Sequence, residues 1–142
     1  MKTIGLIGGM SWESSAIYYR ILNKAYQKKV GGNHSCPCVL YSLDFEEIER
    51  LQNEGEWEAL EQLITEAFMK VYMTGAEVMV LCTNTMHRVT RHVERQFNNQ
   101  FIHIADAVAG VIQAAKMTKV GLLGTRFTMK ESFYRDRLKS NF

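Results

Sequence analysis

Polar side chains cluster where an apolar run ends, near the middle of the chain. The run Val78–Leu81 is followed directly by Cys82, Thr83, Asn84 and Thr85. Asn84 and Thr85 could hold a carboxylate together with the backbone N–H groups of a helix start, and the same positive helix end would lower the pKa of the Cys82 thiol. The alternative is an ordinary polar turn, with Thr83 or Asn84 as a helix cap and Cys82 as a buried, inert thiol.

A second small-residue turn, Gly8-Gly9-Met10-Ser11, follows the first apolar run. Glycines let the backbone approach a ligand closely, and Ser11 is typical of a helix N-cap. A tight turn with a capped helix explains the same residues without a ligand. The spacing is not Gly-x-Gly-x-x-Gly and no Gly-Lys-Ser/Thr follows, which argues against dinucleotide and nucleoside-triphosphate sites.

Two further side chains could reach the same region. Gln52 follows a second apolar run and could enter the cleft, although a surface glutamine is the usual interpretation. His87 has the intrinsic pKa of a general acid or base, although such a histidine more often lies simply in a helix's first turn.

The elements that would position these residues are short apolar runs alternating with amphipathic segments. Uniformly apolar strands in a β-α-β-α order predict a parallel sheet flanked by helices on both faces. Helical spacing between Trp57 and Tyr72 predicts one buried helix face. The predicted strands are residues 3–8, 39–43, 78–82, 101–104 and 120–124, and the predicted helices are residues 12–30, 57–72, 87–97 and 105–116.

The chain contains one internal sequence repeat. Ile4–Gly8 recurs as Val120–Gly124 at an offset of 116 residues, which also aligns Tyr18 with Tyr134. Any two parallel strands with helices look partly alike, but the match predicts a first lobe at 1–117 and the start of an incomplete second lobe at 118–142. A complete second lobe would need roughly another hundred residues.

Composition and charge argue against several functional classes. The 142 residues carry a net charge of +2 with basic and acidic residues interspersed, so no nucleic-acid surface is predicted. No apolar run is long enough for a membrane span and no signal peptide is recognisable, which favours a cytoplasmic protein without a membrane partner. Cys36 and Cys38 are too close for an ordinary metal clip, and we expect reduced thiols and no metal site.

The ordered set of motifs resembles the aspartate/glutamate racemase family, and most of all its broad-specificity amino-acid racemase branch. The motifs are Gly-Gly-Met-Ser-Trp-Glu-Ser after the first strand, residues 44–49, residues 82–87 and the second-lobe opening at 121–129. The resemblance implies one lobe of a pseudo-symmetric two-lobed α/β fold, plus the first βα unit of the second lobe. It also implies an amino acid or dicarboxylate as the small-molecule partner, and no cofactor.

In that family each lobe offers one acid/base group, commonly a Cys, to opposite faces of the substrate α-carbon. The usual first-lobe Cys-Asn-Thr is similar to Thr83-Asn84-Thr85 here, so the resemblance implies that Thr83, or else Cys82, is catalytic. It further implies that Met10, Ser11, Gln52 and residues 83–85 bind substrate.

The second-lobe Cys-Thr pair has no counterpart in residues 1–142, so we expect this chain alone to be inactive or nearly so. A binding-only fragment of racemase ancestry is an alternative. A hydantoin racemase or an arylmalonate decarboxylase-like enzyme is another. An incomplete second lobe would expose apolar surface, and we therefore also expect a homodimer.

Overall fold

The computed structural model describes residues 2–140 and contains two layers of helices around a sheet. Four strands form: β1 (Ile4–Gly8), β2 (Cys38–Ser42), β3 (Val78–Leu81) and β4 (Phe101–Ile102). Seven α-helices and a 3₁₀ helix accompany them in the described residues. They are α1 (Trp12–Val30), α2 (Phe45–Glu54), α3 (Trp57–Met73), the 3₁₀ helix (Thr85–Val89), α4 (Arg91–Gln96), α5 (Ile104–Ala114), α6 (Arg126–Lys130) and α7 (Ser132–Ser140).

The sheet is parallel throughout, in the order β2-β1-β3-β4. β1 lies in the interior and pairs with β2 from Ile4 opposite Cys38 and with β3 from Ile4 opposite Val78. The parallel sheet flanked by helices is therefore confirmed. Parallel strands end at one common edge, so the turns after β1 and β3 become neighbours there.

One face of the sheet is closed by α3. The helix face inferred from spacing is confirmed: Leu60, Ile64, Phe68 and Val71 are fully buried in the main core. Gly5 on β1 lets α3 approach, since a side-chain carbon there would lie 2.2 Å from Val71 Cγ1. This close packing fixes the position of α3 against the sheet.

The opposite face is only partly covered, by α1. Ile17 and Ile21 on this helix remain exposed beside an apolar groove of about 550 Å³. The groove is lined by Ile4, Leu6, Ile17, Tyr18, Ile21, Leu22, Ala25, Val78, Val80 and Ile102. Within residues 2–140, no helix combines the length and apolar character needed to cross a membrane.

The start of the proposed second lobe forms its helices but not its strand. The expectation of a strand at Val120–Gly124 is wrong for the described chain, where this segment is irregular and Leu123 is 91% exposed. A lone strand cannot satisfy its backbone hydrogen bonds without a neighbour, and no described strand lies beside it. By contrast, Tyr134 and Leu138 of α7 are buried against α5, with Ala105, Ala109 and Ile112.

Candidate active site

The turn after β3 carries the first group of polar side chains. The Cys82 N–H donates to the Ile7 carbonyl over 2.8 Å, which extends the β1–β3 pairing to the start of the turn. Thr83 is then half-buried and Asn84 is exposed. Asn84 stands at the N-cap position of the 3₁₀ helix but makes no side-chain capping bond. Its amide is therefore not engaged by the helix and can serve a ligand.

Cys82 is a buried thiol in this fold. Its side chain is 2% exposed, and burial raises the pKa of Cys82 to about 12. The expectation of a lowered pKa is wrong, because loss of solvation outweighs any favourable field from a single-turn helix start.

The turn after β1 is built as the sequence indicates. Ser11 is the N-cap of α1, and its hydroxyl accepts from the Ser14 N–H over 3.2 Å. The buried Ser15 hydroxyl accepts from the Gly9 N–H over 3.0 Å and donates to the Ser11 carbonyl over 3.0 Å. Met10, in the same turn, is buried and packs in the main core.

The residue before α6 contributes a hydroxyl that sequence reasoning missed. Thr125 caps α6, and its Oγ1 lies 3.1 Å from Thr85 Oγ1 and 3.3 Å from Thr128 Oγ1. Thr85 is thus linked to a residue 40 positions away. The 116-residue repeat offered a signal, since it aligns Thr125 with Gly9 in the turn after β1.

Gln52 lines a cavity of about 510 Å³ beside α6. Arg88 and Glu131 form an ion pair in its wall, and the Arg88 guanidinium lies 3.6 Å from the Trp57 ring centroid. Arg126 adds a second cation, which leaves the lining with one positive charge in excess and suits an anionic group. The full lining is Gln52, Asn53, Gly55, Trp57, Arg88, Arg126, Phe127 and Glu131.

The structure joins Thr83, Asn84 and Thr85 in one turn, which Thr125 contacts through Thr85. Gln52 lies apart from that turn, in a cavity that is lined by residues of α2, α3 and α6 but by none of Thr83, Asn84 and Thr85. Within residues 2–140, no three His, Cys, Asp or Glu side chains converge as metal ligands would.

Comparison with known proteins places this arrangement in a family. Residues 7–142 match the model of the Asp/Glu/Hydantoin racemase family. The structure of a candidate Asp/Glu racemase from Yersinia pestis is 50% identical, with a TM-score of 0.92 over 98% of this chain and 60% of that one. An aspartate racemase homologue from Pyrococcus horikoshii OT3 is 34% identical, with a TM-score of 0.82 over 99% of this chain and 62% of that one.

A more distant likeness supports the fold alone. The aspartate racemase of Picrophilus torridus is 21% identical, with a TM-score of 0.71 over 99% of this chain and 60% of that one. This chain thus spans about three-fifths of the length of these relatives. The family match and the two closer likenesses agree, and the chain belongs to the Asp/Glu/Hydantoin racemase family.

Proposed function

We propose that this chain is the substrate-binding first lobe, with the opening of the second, of a cofactor-independent amino-acid racemase. The observation that carries the proposal is the Thr83–Thr85 turn at the carboxyl edge of the sheet, joined to Thr125 through a hydroxyl contact of 3.1 Å. Asn84 and Thr85 offer neutral donors to a substrate carboxylate, which stabilises the charge that develops on it when the α-proton leaves.

Thr83 takes the acid/base position of the first lobe in this proposal. A threonine hydroxyl is not ionised at neutral pH, so it is better suited to return a proton to the α-carbon than to remove one. The group that removes the proton from the opposite face would come from the part of the second lobe that lies outside these residues. Turnover that depends on this hydroxyl would then be slow.

The racemase proposal is tested by α-proton exchange in heavy water. Incubation of the purified chain with L-glutamate or L-aspartate should give no deuterium at the α-carbon above background by NMR, because in this proposal these residues supply only one of the two acid/base groups. Calorimetry with hydantoins and malonates beside amino acids separates the related chemistries by binding. Appreciable exchange by this chain alone would refute the two-lobe division of labour.

Binding without turnover is the second candidate function, and the exposed Asn84 amide, which makes no capping bond to the 3₁₀ helix, favours it. Calorimetry with L-glutamate and succinate should detect an affinity that Asn84→Ala weakens by about tenfold, as expected when one hydrogen bond to a charged group is lost. Asn98→Ala, on an exposed loop, is the matched control. No affinity for any amino acid or dicarboxylate would count against both functions.

We also propose a homodimer in a reducing, cytoplasmic environment. Exposed Met117, Val120 and Leu123 in the irregular segment support self-association, and Cys36, Cys38 and Cys82 are free thiols. Light scattering across a concentration series should show a dimer, and a monomer at every concentration would contradict it.

A further inference from the structure

We infer that His87 is a positioning residue, which clamps the Thr83–Asn84 peptide and so orients the carboxylate-binding turn. The inference rests on the function proposed above. His87 lies in the 3₁₀ helix that follows the turn and is 3% exposed, so it does not meet substrate itself. Its two ring nitrogens instead bridge the turn and the first residue of α5.

The two bonds determine which ring nitrogen carries the proton. Nδ1 of His87 lies 2.7 Å from the Thr83 carbonyl oxygen, which can only accept. Nε2 lies 3.2 Å from the Ile104 backbone nitrogen, whose N–H can only donate. Only the neutral ring with its proton on Nδ1 satisfies both partners.

The surroundings of His87 hold the ring neutral. The His103 ring meets it edge-on at 4.4 Å between centroids, and Phe101 stacks at 5.7 Å. Burial first, and then His103, lowers the pKa of His87 to about 3. Glu94 and Arg137 also act on the ring, with opposite signs, and Arg137 is ion-paired with Glu94 and Asp106.

The clamp has a directional consequence for the site. In a planar trans peptide the C=O and the following N–H point in opposite directions. Because the Thr83 carbonyl is held towards His87, the Asn84 N–H must point away from the ring. The Asn84 side chain on the same residue is exposed, and the clamp fixes the peptide from which it projects. His87 thus acts on a ligand through the turn.

The first test is the tautomer, which needs no activity. Long-range ¹⁵N–¹H spectra of the labelled chain should show His87 protonated on Nδ1 and unchanged between pH 5 and 8. A proton on Nε2, or a change in the protonation of His87 between pH 5 and 8, would overturn the clamp.

The second test separates the Thr83 bond from simple loss of packing. In His87→Asn the amide nitrogen can take the place of Nδ1, whereas His87→Leu has no donor. Backbone N–H order parameters at Asn84 and Thr85 should stay at about 0.85 in the parent and in His87→Asn. They should fall below about 0.6 in His87→Leu. Equal order in all three proteins would refute the positioning role.

The third test measures the affinity for L-glutamate. By calorimetry, His87→Leu should bind L-glutamate at least about tenfold more weakly than the parent, and His87→Asn within about threefold of it. Equal affinities for parent and His87→Leu would overturn the inference. If the parent itself fails to bind, the proposed function is refuted, while the tautomer and the order parameters still decide whether the clamp exists.

Discussion

Gly9, in the turn after β1, is the residue whose replacement the structure constrains most strongly. Its φ is +92°, a region that residues with a side chain rarely adopt. A side-chain carbon on Gly9 would lie 2.1 Å from the Leu43 carbonyl oxygen and 2.5 Å from the Leu43 nitrogen. That backbone is held, because the Leu43 N–H donates to the Gly8 carbonyl over 2.9 Å. Gly9→Ala therefore forces one of two paired segments to move.

The cost of Gly9→Ala has two parts. The left-handed backbone costs an alanine about 1–2 kcal/mol, and relieving the overlap adds about 1–3 kcal/mol, as overpacking does elsewhere. Gly55 supplies the matched control: its φ is +76°, but no atom lies within 4 Å of an added carbon. Gly55→Ala should thus show the backbone part alone, about 1 kcal/mol.

Equilibrium unfolding in urea, followed by circular dichroism, measures both variants. With a slope of about 2 kcal/mol per molar urea, the midpoint should fall by about 1–2.5 M in Gly9→Ala and by about 0.5 M in Gly55→Ala. The reasoning fails if Gly9→Ala is no less stable than Gly55→Ala, because the close approach to Leu43 would then have no energetic consequence.

Three other predictions follow from buried groups. The pKa of Cys82 is about 12 against an ordinary 9, so its thiolate fraction at neutral pH is about a thousandfold lower. Iodoacetamide should therefore alkylate Cys82 about a thousandfold more slowly than an unhindered peptide thiol. Similar rates for the two thiols, measured by peptide mass spectrometry, would disprove its burial. Ser15→Ala should lower the free energy of unfolding by about 1–3 kcal/mol, since the Gly9 N–H loses its acceptor; an unchanged urea midpoint would contradict this. The pKa of His87 falls from 6.5 to about 3 on folding, because the folded protein disfavours the charged ring. The contribution of His87 to the free energy of unfolding is therefore complete above pH 6.5 and declines by about 1.4 kcal/mol per pH unit towards pH 3. Urea midpoints at pH 7 and 5 check this, and His87→Asn should flatten the decline.

Periodicity and composition were sufficient for the layered parts of the fold. The face of α3 from Leu60 to Val71 and the Ser11 cap are local consequences of residue order, and the alternation of apolar strands with amphipathic helices predicted the parallel sheet. A helix buries the side chains that recur at its own period, and a cap bonds to residues three positions away. The family resemblance was likewise readable, because its motifs are short runs at strand ends.

Tertiary structure decided the features that depend on distant partners. The segment Val120–Gly124 has a strand's composition, yet it forms none because a strand also needs an edge to pair with. The pKa of Cys82 depends on how completely the fold excludes water, and no local pattern reports that exclusion. The Thr85–Thr125 contact spans 40 positions, and the tautomer of His87 requires Thr83 and Ile104 to approach it from two elements. The sequence by itself determined which residues could do chemistry and at which edge of the sheet, whereas packing decided which of them remain polar, reachable and correctly protonated.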